Sequence, residues 1–433
     1  MKIKNLFSSM AIFGLAGILL RAIFTPFAMH QDMLWIHMCA SKMAHNAVFN
    51  IYGYIKSNFY MQIAGQGINY YPPLAYFSMG SVYFIVKPII PGLGAWFDMY
   101  SNMTASGNYS AYLDLFKIPL TRLYSYISIM KAPYFVFDAL CGIFLWKYFK
   151  TGADRLRAFK FWMINPVIIF GSYIFGQFDI AIAFFLLAAL FMIKKGRSYL
   201  AMFIIGSAAL LKSTPLLLIL PLSIILGDDI KKIVRLFGIA VFPIIAVMAP
   251  FYFLTGNYMT SAIFPNFLGK GGASPIDTIE FAIGKIIFII SYIIILVRIV
   301  TKKYRNDEIY IEAWRYMLGI LLASYFILFT PIHYFQWVIP LLIIGIVSGK
   351  IPKDVYILQV VCIFVYAICS RPLSAQLFLS LNPDYFYNLK SLPEYMNQFM
   401  KWGIVMRSAR FIFYCCSLYI IWKIIFKPEV KNA

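Results

Sequence analysis

The sequence predicts an all-α polytopic membrane protein of about twelve spanning helices, with a long first extracytoplasmic loop that contains interfacial or re-entrant helices. Three observations carry this. Hydrophobic residues make up 62% of the 433-residue chain and charged residues 13%, with a mean hydropathy of +0.77, values that no water-soluble core of this size requires. Apolar runs near the ~20 residues needed to cross a bilayer recur along the chain. Lys and Arg collect in short clusters between those runs, as they do in the cytoplasmic loops that orient spanning helices. The net charge of +21 is therefore read as topology plus attraction to anionic membrane lipids, and no nucleic-acid partner is expected.

Taken in order, Lys2 and Lys4 precede an apolar run over 6–24 with no small-residue cleavage site before Arg21, which reads as an uncleaved first span. A long outside loop follows, from about 25 to 122. Within it, Pro72 to Trp96 is nearly long enough to cross, but Pro88, Pro91, Gly92 and Gly94 interrupt it, and a crossing there would put Lys147 to Lys160 outside. A re-entrant or interfacial helix is the cheaper reading, with an ordinary second span as the alternative. Further spans are expected near 124–146, 161–175, 180–193, 199–211 and 215–226, then 236–254, 280–300, 310–330, 336–348, 354–370 and 403–425. Seven basic groups, holding 22 of the 38 Lys and Arg residues, then share one side, with both termini cytoplasmic in the plasma membrane. The whole of 1–433 reads as one integral membrane domain, with no appended soluble domain expected. The six cysteines show no pair at metal-ligand spacing, so neither a disulfide framework nor a zinc site is implied.

Polar residues far apart in sequence converge on the outer side in this topology. Asp32 lies in His30-Gln31-Asp32, where the first span emerges, and an acid at that depth is a functional candidate. With it come Tyr71 in Tyr70-Tyr71-Pro72-Pro73-Leu74, Gln177 and Asp179 in Gly176-Gln177-Phe178-Asp179, Lys212 in Lys212-Ser213-Thr214-Pro215, and His333, Tyr334 and Gln336 in His333-Tyr334-Phe335-Gln336-Trp337. Collected at one face, an acid, bases, amides and aromatics suit a polar substrate on a lipid carrier. Each also has an ordinary reading. Asp32 reads equally as a hydrated interfacial acid, and Asp179 as a solvated hairpin acid or a helix cap in a turn that Gly176 relieves. Lys212 snorkels or seats a phosphate at a helix start. Arg371 clamps a phosphate or pairs with Asp384 or Glu394. Tyr334 and Trp337 suit interfacial anchors. Asp138, inside the second span, is expected to be buried, hydrogen-bonded and structural.

These motifs resemble those of the GT-C glycosyltransferases, membrane enzymes that use polyprenyl-phosphate sugars. The resemblance rests on the acid after the first span, Tyr71-Pro72-Pro73-Leu74 opening a loop helix, Asn165-Pro166 before Gly176-Gln177-Phe178-Asp179, Leu210-Leu211-Lys212-Ser213-Thr214-Pro215 and the His333 motif, in order over about residues 25 to 340. It is nearest to bacterial polyprenol-phosphate mannosyltransferase-like proteins and dolichol-pathway glucosyltransferases. It implies a GT-C fold, with a helical module over 124–254 typical of the class and variable helices over 255–433. It also implies a polyprenyl-phosphate sugar donor carrying mannose or another hexose, a glycolipid or glycan acceptor, and inversion with Asp32 as base. His30, Gln31, Tyr71, Gln177, Asp179, Lys212, His333, Tyr334, Gln336 and Arg371 would bind substrate. Oligosaccharyltransferase, a more distant analogue, uses a metal and carries a large soluble C-terminal domain. No cofactor or metal dependence is expected here. Rival readings are a transporter or flippase of lipid-linked sugars, disfavoured because no inverted repeat is visible, and a polysaccharide polymerase or ligase, which by resemblance more often has a large late loop.

Overall fold

The computed structural model describes residues 3–66, 71–106, 109–255, 275–302, 306–328, 332–370, 375–390 and 392–426. Among these residues the chain is helical throughout and has no strand. Helix α1 (Ile3–Phe24) leads into a layer built from the first long loop: α2 (Gln31–Asn46), α3 (Ile51–Gln66), α4 (Pro73–Val86) and α5 (Gly92–Ser106), closed by a short, tightly wound helix at Tyr109–Phe116. Helix α2 packs on both α4 and α5, and α5 on α3. The bundle follows with α6 (Leu120–Tyr148), α7 (Gly152–Met163), the short α8 (Pro166–Ile168), α9 (Asp179–Lys194), α10 (Ser198–Ala209), α11 (Leu216–Leu226) and α12 (Ile230–Thr255). After it come α13 (Pro275–Thr301), α14 (Asn306–Ser324), α15 (Ile339–Val347), α16 (Lys353–Ser370), the short α17 (Pro383–Asn388) and α18 (Leu392–Met396), and α19 (Trp402–Ile421).

Four helices among the described residues are long and apolar enough to cross a membrane: Leu120–Tyr148, Ile230–Leu254, Ile279–Thr301 and Trp402–Phe426. The chain is thus a helical membrane protein. Other expected spans are shorter. At 1.5 Å per residue, α10 and α11 reach only about 18 Å each, well short of a ~30 Å hydrocarbon core. Of the Pro72–Trp96 run, only Pro73–Val86 forms the first helix, and the chain turns at Lys87–Pro91 before α5 begins. That run is therefore two helices, not one crossing. The expected span over 161–175 is also broken. Asn165 ends α7 and caps α8, its side chain accepting from the N–H groups of Val167 and Ile168 at 3.1 and 3.4 Å. A wide turn then follows in which Phe175 N–H bonds back to the Phe170 carbonyl at 2.7 Å, five residues earlier, a geometry frequent at functional sites.

Two buried polar networks hold this frame. Asp138 behaves as the sequence led us to expect. Its carboxylate is buried on α6 and accepts from Arg21 Nε at 2.5 Å, Trp162 Nε1 at 2.7 Å and Tyr173 Oη at 2.7 Å. Arg21 also donates to the Met163 carbonyl at 2.6 Å, so α1, α6 and α7 meet at one charge pair. In the loop layer, His37 lies between Tyr83 Oη (2.5 Å) and Tyr134 Oη (2.9 Å), while Tyr134 Oη donates to the Gly176 carbonyl at 3.1 Å. Because the Tyr134 proton is spent on Gly176, His37 Nε2–H must donate to Tyr134, and Nδ1 accepts from Tyr83. The ring is neutral, and burial followed by the charge of Lys131 pushes it down to about 3.

Two measurements test this frame. Arg21→Leu should lower thermal stability in detergent by about 3–5 kcal/mol by stranding a buried carboxylate, and adding Asp138→Leu should recover much of that loss. His37 binds its proton far less readily folded than unfolded, so its neutral form adds no penalty above its ordinary value of 6.5. Below that, the unfolded chain takes up a proton that the folded one refuses. Stability should fall by up to about 1.4 kcal/mol per pH unit. Unfolding midpoints of the wild type and His37→Gln across this range should show the steeper slope in the wild type.

Candidate functional site

Two chain segments build the site, and Lys131 ties them together. One is the turn between α1 and α2, whose residue Met29 donates its N–H to the Leu377 carbonyl at 2.9 Å and whose His30 donates to the Phe175 carbonyl at 3.0 Å. The other is the turn from Tyr173 to Asp179. The Lys131 ammonium, fully buried on α6, donates to the carbonyls of Phe24 (3.5 Å), Thr25 (2.9 Å) and Ala28 on the first turn and Tyr173 (2.6 Å) on the second. These carbonyls take the positive charge where water is excluded. Sequence reasoning missed Lys131. Its signal was a lysine inside an apolar helix, Ile129-Met130-Lys131-Ala132, which deserved the same suspicion as Asp138.

His30 caps α2: its Nδ1 accepts the Asp32 N–H at 3.2 Å and lies 3.4 Å from the Asp32 carboxylate. Accepting that N–H leaves the proton of a neutral ring on Nε2. The Asp32 side chain is 43% exposed, and Gln31 beside it is exposed. The His30 ring stacks on Phe175 at 4.2 Å and His333 stacks on Phe175 at 4.7 Å, so two histidines some three hundred positions apart share one phenyl ring.

Beneath this tier lies a buried one. Gly176 has φ of +82°, which favours glycine, and a Cβ there would lie 2.3 Å from Met33 Sδ. The turn delivers Asp179 to the first position of α9, buried rather than solvated. Its Oδ1 accepts from Lys212 Nζ at 2.7 Å and from Trp337 Nε1 at 2.6 Å. The Lys212 ammonium lies 4.2 Å from the ring centre of Tyr334, 5.3 Å from Phe178, 5.5 Å from Trp337 and 5.8 Å from Tyr71. This is a cation enclosed by aromatic faces as well as paired. Both groups stand at helix ends, outside the four long spans. Burial pushes the Asp179 carboxyl up against the pull of Lys212, and pushes the Lys212 ammonium down while Asp179 and Asp32 hold it up. Asp32 thus acts electrostatically on the same lysine that Asp179 binds.

The amides complete it. Gln336 Oε1 accepts from Ser172 Oγ at 2.7 Å. A Cβ on Gly171 would lie 2.1 Å from Gln336 Nε2, so this approach also needs glycine. Among the described residues, both amide atoms of buried Gln177, Gln336 Nε2 and Asp179 Oδ2 have no hydrogen-bond partner. Buried groups of that kind are costly unless something satisfies them. Arg371 lies outside the described residues. No group of three or more His, Cys, Asp or Glu side chains that could hold a metal occurs among the described residues.

A helical membrane protein with a carboxylate, an ion pair and aromatic faces gathered at helix ends is the class that fold and site define. Residues 120–282 match the family model of glycosyltransferase family 87. That match indicates a glycosyltransferase and is consistent with the GT-C type. No curated protein matches the chain. The matched region contains Gly176 to Asp179 and Lys212, whereas Asp32 and His333 lie outside it.

Gln177 offers a clean separation of binding from stability. Gln177→Leu removes a buried amide that has no hydrogen-bond partner among the described residues, so the unfolding midpoint should hold or rise, by up to about 1–2 kcal/mol in stability. Glycosyl transfer by the same preparation should fall at least about tenfold, one lost hydrogen-bonded contact being worth that much.

Proposed function

We propose that this chain transfers a hexose, mannose or a relative, from a polyprenyl-phosphate donor to a glycolipid or glycan acceptor on the extracytoplasmic face, inverting the anomeric centre with Asp32 as general base. The carrying observation is the contrast between two carboxylates. Asp179 is buried and tied to Lys212 and Trp337, whereas Asp32 is 43% exposed beside His30. Of this pair, Asp32 is the one open to a substrate hydroxyl.

In this reading Asp32 takes the acceptor hydroxyl proton as that oxygen attacks the anomeric carbon and the bond to the carrier phosphate breaks. The departing polyprenyl phosphate is a stable anion and needs its charge balanced rather than a proton. Lys212 is already shared with Asp179, so His333 and Arg371 take the larger part of that balance, and Lys212 supplies a fixed positive potential between Asp179 and Asp32. Tyr71 and Tyr334 present faces for the sugar, and Gln31, Gln177 and Gln336 supply amides to its hydroxyls. No metal enters this scheme. The sidedness has a structural support: α9 carries Asp179 at one end and Lys194 at the other, about 22 Å apart, and Lys194, with Lys150 and Lys350, forms the basic end that the charge bias assigns to the cytoplasm.

Purified chain in detergent, given a radiolabelled polyprenyl-phosphate monosaccharide and a membrane lipid extract, should transfer label. Asp32→Asn should cut the rate ~10²–10⁴-fold, as expected for loss of a general base, with its elution profile unchanged. Transfer undiminished in that variant would remove Asp32 from the reaction.

A further inference from the structure

At the end of α9 away from Asp179, a cavity of about 260 Å³ is lined by Lys150, Lys194, Arg315 and Lys350 and by the aromatic side chains of Tyr148 and Trp314. The C-termini of α6, α9 and α15 meet there, at Tyr148, Lys194 and Val347. Cations at helix C-termini are ordinary, since the last carbonyls attract them. Lys194 does this, donating to the Tyr148 carbonyl, with its ammonium 4.2 Å from the Tyr148 ring. Orientation of the chain also explains why lysines gather at this end. Neither effect explains why they turn toward a common hollow beside buried Trp314.

We infer that this cavity is a binding site for a phosphate group, on a lipid headgroup or free, separate from the site of glycosyl transfer. The described residues lining it include no carboxylate. Glu312, 3.0 Å from Arg315 and 3.3 Å from Lys302, pairs with one of the lining cations, so the phosphate reading rests on Lys150 and Lys194. Burial and the neighbouring Lys150 charge push Lys194 down from its ordinary range, the sign of an ammonium short of anionic company. A phosphate between Lys150 and Lys194 removes that repulsion and accepts charge-assisted bonds from both. The volume is several times the ~30 Å³ of a water molecule, enough for a phosphate and its ester oxygens. Trp314 and Tyr148 suit the glycerol or methylene part of a headgroup at the membrane surface.

The test uses the full chain in detergent, titrated with short-chain phosphatidic acid, inorganic phosphate and, as control, short-chain phosphatidylcholine at matched ionic strength. Tryptophan fluorescence, to which Trp314 contributes, reads binding. Saturable binding of phosphatidic acid is expected. Lys150→Glu should weaken it at least about tenfold, the equivalent of one charge-assisted contact, whereas Lys231→Gln, at another exposed basic position, should leave it unchanged. If inorganic phosphate also saturates, the phosphate group alone suffices; if phosphatidic acid alone does, the source is a lipid headgroup. No saturable response to either, or one that Lys150→Glu leaves intact, overturns the assignment. Lys150 is exposed and makes no contact within the frame described above, so that variant reports on the cavity even if replacing Lys194 unfolds the helix end.

Discussion

The structure turns on one buried ammonium that has backbone carbonyls, not a carboxylate, for company. Lys131 gathers the end of α1 and the turn into α2 on one side and the Tyr173 carbonyl on the other. Without it, the carbonyls of Thr25, Ala28 and Tyr173 would lose the ammonium they share, a costly change for backbone groups in a protein interior. With it, the turn that carries His30 and Asp32 is fixed against the turn that carries Gln177 and Asp179. The Tyr83–His37–Tyr134–Gly176 chain repeats the same logic from the loop layer, reaching the second turn through its Gly176 carbonyl.

The second consequence concerns charge. A buried ion pair is weak evidence for stability, because desolvation of both groups offsets most of their attraction. Asp179 and Lys212 fit a role in arrangement better than one in stability. Trp337 and Tyr334 stack on each other at 4.7 Å and close over the lysine, and Tyr325 Oη holds the Tyr334 carbonyl at 2.9 Å. The pair thus fixes the His333 motif against α9 and the α10–α11 turn, with aromatic faces gathered around the lysine.

Much of this was legible in the chain. The acid after the first apolar run, the Gly176 turn and the Lys212 and His333 motifs were each visible as polar breaks in apolar sequence, and Asp138 as an acid that must find partners. What misled was treating the apolar run over 161–175 as one crossing. Asn165 and Pro166 cut it, and hydropathy counts apolar residues without noticing which backbone groups a cap or a proline removes. The breaks from Pro88 to Gly94 were legible as prolines and glycines, and the chain turns there between two helices. Lys131 went unseen because one lysine in an apolar helix barely changes an average.

Composition alone determined that the chain is a helical membrane protein, since that depends on the energy of transferring each residue between water and lipid. Which carboxylate is half-exposed and which is buried was settled by the tertiary structure. Asp32 and Asp179 are alike in sequence as acids opening helices, and they differ in that Asp179 is buried against Lys212 and Trp337, 33 and 158 positions away. Contacts over such separations arise from how helices pack, and no local pattern encodes them.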